Sequence, residues 1–264
     1  MKIALQGLAI AASVFLLWLG LSQFDYVSFF KVKQNGHDLE TALGELIWKE
    51  IARTEDVVTN DSLVKTLDKL IIPLCEANGI ERDSLKVHII EKDEINAFAL
   101  PNNHLVVYTG LIVDSKKQEA LQGVLGHEMA HIEYNHVMKK LSKEIGFSVL
   151  LSATTGGKAG EVVKEIFTTL SSSAYDRSLE KEADMASVDY LIAADIDPKP
   201  FADFMYEMAL DSQMPKEMYW IASHPESEER AQYILEYLKG KKLKKKQTLT
   251  EKEWQAFQEQ AKAL

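Results

Sequence analysis

The run His127-Glu128-Met129-Ala130-His131 constrains this chain more than any other stretch, because its two histidines act together only if the backbone between them is helical. At 3.6 residues per turn they project from one face about a turn apart, where their ring nitrogens can share one metal ion. Glu128 is rotated by roughly 100° from His127 and reaches the side of that ion where a water would sit. It is therefore the candidate general base of a zinc hydrolase. The bare pattern also has an ordinary reading, a core helix whose histidines are satisfied by hydrogen bonds.

Around the motif, Ser115 and Gln118 have capping-box spacing, and Ala120, Leu121, Val124, Leu125, Met129 and Ile132 recur at helical intervals, predicting one helix to about Met138. On that helix His136 falls roughly 140° from His131 and faces away from the ion, as a surface or second-layer residue. A zinc ion that keeps an open position needs a third protein ligand. Tyr134 and Val137 stand where the metzincin pattern requires Gly and His, so that solution is excluded. The charged segment from Tyr175 to Asp184 offers another. Glu180 and Asp184 share a helix face, as third ligand and as a carboxylate fixing a histidine tautomer, while Glu182 points nearly the opposite way. The same segment also reads as a solvated helix of salt-bridging charges.

Four blocks carry a resemblance. They are Asn96-Ala97-Phe98-Ala99-Leu100-Pro101 with Tyr108-Thr109-Gly110-Leu111; Leu125-Gly126-His127-Glu128-Met129-Ala130-His131; Arg177-x-x-Glu180-x-Glu182-Ala183-Asp184; and Ser223-His224-Pro225 with Glu229-Arg230. In this order the chain resembles the gluzincin metallopeptidases that include the HtpX heat-shock protease, the CAAX prenyl endopeptidase and the periplasmic BepA-type proteases. The resemblance implies zinc on His127, His131 and Glu180, catalysis by Glu128, and a near-site role for His224, which by position alone is a polar helix cap. It also implies an edge strand over residues 105–109, so Leu105, Val106, Val107 and Tyr108 are the expected substrate-binding residues, an extended peptide adding there as a further strand. Two departures stand out. Asn102-Asn103 replaces a Gly-Gly pair, which asparagine's tolerance of positive φ accommodates, and Asp176 replaces a Ser before Arg177.

The remaining sequence sets the frame. Residues 3–22 carry no charge and, as a helix, span roughly 30 Å, the thickness of a bilayer core. They read as an uncleaved anchor in preference to a cleaved signal peptide, whose apolar region is usually shorter. Net charge is −10, which gives no footprint for nucleic acid. Cys75 is the single cysteine, so an intramolecular disulfide and a cysteine metal site are both excluded, and a cysteine-nucleophile enzyme has no support. Helical patterns over 38–54 and 62–77, then β patterns over 85–90, 96–100 and 105–109 with a turn at Asn102-Asn103, predict an α+β order. Residues 145–153 are too short to span a membrane and, with glycines following, predict a packed helical hairpin. Phe201, Phe204, Met205 and Met208 read as core. Six lysines within 239–246 read as a solvated linker before a helix capped by Thr250 and Glu253.

The expected fold is thus mainly helical α+β, a small sheet packed on the HExxH helix, after one N-terminal membrane-spanning or signal helix. Three parts are expected: anchor or signal over 1–22, metallopeptidase domain over 36–238, basic linker and closing helix over 239–264. The expected function is a zinc endopeptidase, one Zn2+ per chain, acting on peptides or unfolded proteins in envelope quality control. It would sit on the periplasmic side of the cytoplasmic membrane, or free in the periplasm if the signal is removed. A non-catalytic chaperone or binding module on the same fold, and a non-peptide zinc hydrolase, are the rival readings.

Overall fold

The strand His104–Tyr108 is buried at all five positions, the mark of a strand packed on both faces. In the computed structural model, which describes residues 32–155, 159–172, 174–210, 220, 223–225 and 227–264, this strand is the middle one of three. Strand β1 (Lys86–Ile90) pairs parallel to it on one side, from Lys86 opposite His104 to Ile90 opposite Tyr108. Strand β2 (Ala97–Leu100) pairs antiparallel on the other, from Ala97 opposite Val107 to Leu100 opposite His104. The order is β1-β3-β2, with His104–Tyr108 as β3.

This corrects the expectation of a free edge at Leu105, Val106, Val107 and Tyr108. Both flanks of β3 are used within the sheet, and among the described residues its edge strands are β1 and β2. The β2–β3 turn is made by Asn102 and Asn103, both at φ +61°, the left-handed region in which asparagine is least costly after glycine.

Helices α1 (Val32–Thr54) and α2 (Asp61–Asn78) precede the sheet. The Asn60 side chain caps α2 by accepting from the Ser62 and Leu63 amides, and Gly79 ends it at φ +67°. After β3 come α3 (Thr109–Asp114), α4 (Gln118–Glu133), α5 (His136–Glu144), α6 (Phe147–Thr155), α7 (Ala159–Ser172), α8 (Arg177–Ala193), α9 (Lys199–Leu210), α10 (Ser227–Leu238) and α11 (Glu251–Lys262). Contacts divide the chain into Met1–Glu40 and Thr41–Leu264, and every element that builds the site belongs to the second unit. The 1–22 segment lies outside the described residues. Among those described, no helix is long and apolar enough to cross a membrane.

Helix α4 is the axis of the fold, packing against α2, α8, α9 and β2. It is buried from Ala120 to His131 without a break, the signature of a helix surrounded on all sides. Close approach comes from small residues a turn apart. A Cβ on Gly123 would lie 2.3 Å from the Phe201 Cβ of α9, and one on Gly126 would lie 2.9 Å from the Ser187 Oγ of α8.

Two expectations about α4 fail. Ser115 and Gln118 form no capping box. Ser115 Oγ donates to the Leu111 carbonyl, and the Gln118 amide reaches across the chain, donating to the Leu249 carbonyl and accepting from the Leu249 and Thr248 amides. Nor does α4 run on to Met138. It stops at Glu133, and Asn135, at φ +55°, turns the chain into α5. The closing helix does carry its capping box, Thr250 with Glu253, and buries Trp254 and Phe257 in the main core. Phe201, Phe204, Met205 and Met208 lie in the same core. Cys75 is buried there too, and burial raises its thiol to about 11, leaving it un-ionised.

Helix α1 is tied to the sheet by a polar and aromatic chain. Trp48 stacks on His88 at 3.4 Å, His88 Nε2 lies 2.9 Å from His104 Nδ1, and Glu45 receives Lys86 at 2.6 Å and the Asn102 amide at 2.9 Å. Burial first, then the neighbouring His104 and Lys86, lower the His88 imidazole from 6.5 to about 3. The unfolded chain therefore takes up this proton at a higher pH than the folded one. The neutral pair contributes its full stability above about pH 6.5 and loses it progressively towards pH 3. Melting curves between pH 7.5 and 4.5 should show the His88→Gln variant losing less stability than the parent chain, by about 1–2 kcal/mol at pH 5. Parallel pH profiles would remove the half-buried His88 from the account.

Candidate active site

Helix α4 aims His127 and His131 at the first turn of α8, from which Glu180 projects, and the 223–225 segment brings His224 to the same point. Ligand atoms of all four residues lie within 4.8 Å of one another, and all four side chains are buried. His127 Nε2 and His131 Nε2 are 2.9 Å apart, His131 Nε2 is 3.3 Å from Glu180 Oε1, and His224 Nδ1 is 3.2 Å from His127 Nε2 and 2.9 Å from Glu180 Oε1.

The two facing nitrogens test whether a metal fits. His127 Nδ1 lies 2.9 Å from Asp184 Oδ1, so its proton belongs on that nitrogen and Nε2 is a bare lone pair. His131 Nδ1 lies 3.0 Å from His136 Nδ1 and is engaged likewise. Two lone pairs pointing at each other in a dry pocket are repulsive unless a cation stands between them. Glu180 Oε2 adds a second sign: it is buried and accepts no hydrogen bond, although Arg230 Nη1 is an ion-pair neighbour at 2.7 Å. Tetrahedral zinc with bonds of about 2.0–2.2 Å separates its donors by about 3.3–3.6 Å, close to the spacing here. Two imidazoles, a carboxylate and a further imidazole are also donors that zinc accepts.

One guanidinium offsets part of the negative charge around this pocket. Arg230 on α10 donates from Nε and Nη2 to the two oxygens of Asp184, at 2.8 and 2.6 Å, and from Nη1 to the His224 carbonyl at 2.9 Å. The Tyr233 hydroxyl also donates to Asp184. Burial alone would push both acids towards the neutral form. Arg230 outweighs it at Asp184, and His224 with Arg230 outweighs it at Glu180, so both are held well below the usual carboxylate range. Burial lowers the His131 imidazole to about 3, His127 adding to the shift, which keeps it neutral and able to ligate.

Glu128 stands beside the cluster with both oxygens engaged. Trp220 Nε1–H donates to Oε1 at 2.9 Å, the Ala99 amide of β2 donates to Oε2 at 3.1 Å, and His224 Nε2 is 3.3 Å from Oε1. Burial opposes ionisation here as well, but His224 and the two helix histidines overcome it and lower the carboxyl to about 2. Glu128 is thus ionised and able to accept a proton. The same neighbours, Glu180 and Glu128, raise His224 against the depressing effect of its burial.

The structure brings together His127, Glu128, His131, Glu180, Asp184 and His224. It does not bring in Leu105, Val106, Val107 or Tyr108, which lie inside the sheet. His136 stands in the second layer, one of the two places the sequence reading allowed it, but it does not face away: because α4 ends before it, it turns inward, fully buried against His131. Trp220, Arg230, Tyr175 and the Ala99 amide were not assigned roles from sequence. Arg230 had a signal, its place in the last matching block. Tyr175, stacked on His131 at 4.1 Å, adjoins the charged segment but carries no spacing that marks it.

Comparison with known proteins agrees with this geometry. Residues 59–238 match the family model "Peptidase family M48". The chain is 27% identical over 206 residues to bovine "Metalloendopeptidase OMA1, mitochondrial", covering 71% of this chain and 39% of that protein. It is 29% identical over 174 residues to "Metalloprotease LoiP" of Escherichia coli K12, covering 63% and 68%. It is 23% identical over 208 residues to the "Beta-barrel assembly-enhancing protease" of Yersinia pestis, covering 71% and 41%. The chain thus spans between about two fifths and two thirds of these relatives. With that match over more than half its length, the chain belongs to Peptidase family M48, the gluzincin-type zinc metalloendopeptidases.

Proposed function

We propose that this chain hydrolyses peptide bonds of protein substrates, with zinc held by His127, His131 and Glu180 and with Glu128 as general base. The observation that carries the reading is the buried His-His-Glu-His cluster with an ionised glutamate beside it, in a member of a zinc peptidase family. Zinc, when bound, supplies Lewis-acid polarisation of the scissile carbonyl and of water. Glu128 takes a proton from that water and returns it to the leaving amine. Asp184 holds the His127 proton on Nδ1, so that Nε2 stays a ligand. His224 occupies the place of a fourth protein ligand, and a zinc site closed by four protein groups has no room for substrate. We therefore assign His224 a gating role, withdrawing when a peptide enters.

The substrate edge is reassigned to β2. Tyr108 N–H donates to the Asn96 carbonyl, so in the antiparallel register Phe98 and Leu100 pair inward while the amides of Ala97 and Ala99 point away from β3. Ala99 already reaches Glu128 from that side. An extended peptide bonding to this edge would pass the general base whatever its side chains.

The cell-envelope setting rests on the uncharged 3–22 segment and on the printed name of the Yersinia relative. Quality control of envelope proteins follows from the same two observations. Protease accessibility of the catalytic unit from outside the cytoplasmic membrane would test it.

Two variants test the chemistry. Glu128→Gln should retain about one zinc per chain while kcat falls by about 10²–10⁴-fold, whereas Glu180→Ala should lose the metal on dialysis. Parental peptide turnover by Glu128→Gln, or by parent protein stripped with chelator, would sink the mechanism. Ala97→Pro removes one outward donor and should lower kcat/KM for peptides by about three- to tenfold at unchanged zinc content. Unchanged kcat/KM would move substrate off the β2 edge.

A further inference from the structure

The turn at Asn135 has a consequence for His131. Had α4 continued, His136 would lie roughly 140° from His131 around the axis. Asn135 at φ +55°, ψ +34° instead folds the chain back, and His136 opens α5 fully buried. Its Nδ1 lies 3.0 Å from His131 Nδ1, and its Nε2 lies 3.1 Å from Glu182 Oε2, on a side chain 54% exposed.

The direction of every hydrogen bond in this chain is fixed by its outer end. An ionised carboxylate only accepts, so His136 Nε2 carries the proton and donates to Glu182. A neutral His136 then has a lone pair on Nδ1, which accepts from His131 Nδ1–H. That leaves His131 Nε2 as the bare nitrogen, and Nε2 is the atom facing His127 and Glu180. His127 reaches the same state by a shorter route, through Asp184 at 2.9 Å. Both outer carboxylates, Asp184 and Glu182, come from α8, the helix that also presents Glu180.

We propose that His136 and Glu182 are positioning residues: a two-link relay that orients the His131 ring, holds its proton on Nδ1 and thereby keeps zinc in the site. The proposal rests on the reading of His131 as a zinc ligand, and it goes beyond that reading by assigning two residues that touch neither metal nor substrate. Removing such an outer partner weakens metal binding by about 10–100-fold. The geometry also predicts non-additivity, because Glu182 acts only through His136. Glutamine at 136 can accept from His131 with its carbonyl and donate to Glu182 with its amide, so it should restore what leucine removes.

The test is the rate at which zinc passes from the loaded full-length chain to a chromophoric chelator, with apo-protein melting and far-UV circular dichroism as fold controls. His136→Leu should release zinc about 10–100-fold faster than the parent, and His136→Gln within about threefold of it. Glu182→Gln frees the direction of the relay and should release zinc about three- to tenfold faster. Added to His136→Leu, Glu182→Gln should change nothing further. Parental release rates in His136→Leu and Glu182→Gln, equal rates for leucine and glutamine at 136, or additive effects in the double variant would each overturn the relay. Should His136→Leu not fold, the pair His136→Gln and Glu182→Gln decides the matter, with a parental rate in Glu182→Gln counting against it. A parent chain that binds no zinc would overturn the metal reading itself, and this inference with it.

Discussion

Three carboxylates, Glu128, Glu180 and Asp184, are buried around one point, and this concentration of negative charge is the condition on which the rest of the site depends. Isolated carboxylates cannot be kept ionised in such a place. Arg230 supplies one positive charge, held by four contacts to Asp184, Glu180 and the His224 carbonyl. A divalent cation among the histidine nitrogens would supply the remainder. His127 and His131 can then stay uncharged, which is the state in which they ligate.

Much of this was legible because it is local. His127, Glu128 and His131 lie within one helical turn, and Glu180 and Asp184 within another, so helical geometry alone orders them. The helices, the paired asparagines of the hairpin and the closing capping box are local as well. What sequence could not supply was whatever depends on distant segments meeting. Arg230 reaches Asp184 across 46 residues and Trp220 reaches Glu128 across 92, and no periodicity encodes either contact.

Two misreadings have definite physical causes. The edge assignment failed because strand order is a property of topology. The chain runs from β1 past the middle of the sheet to β2 and then returns to fill the centre with β3, so the run expected at an edge became the interior strand. The placement of His136 failed because a helical wheel was carried past the end of its helix. A single left-handed residue, Asn135, converts a residue expected to face away into a neighbour of the ligand it was thought to avoid.

The four groups of the buried cluster come from positions 127, 131, 180 and 224 of a chain that has only one thiol. No covalent cross-link is available to it within one molecule. An ion bound by these groups would serve as one, closing two long loops at a single knot and removing from the unfolded chain the freedom those loops would otherwise have. Unlike a disulfide, such a knot is tied without an oxidant and untied by a chelator. The same ion that equips the chain for chemistry would then also set how tightly it is held together.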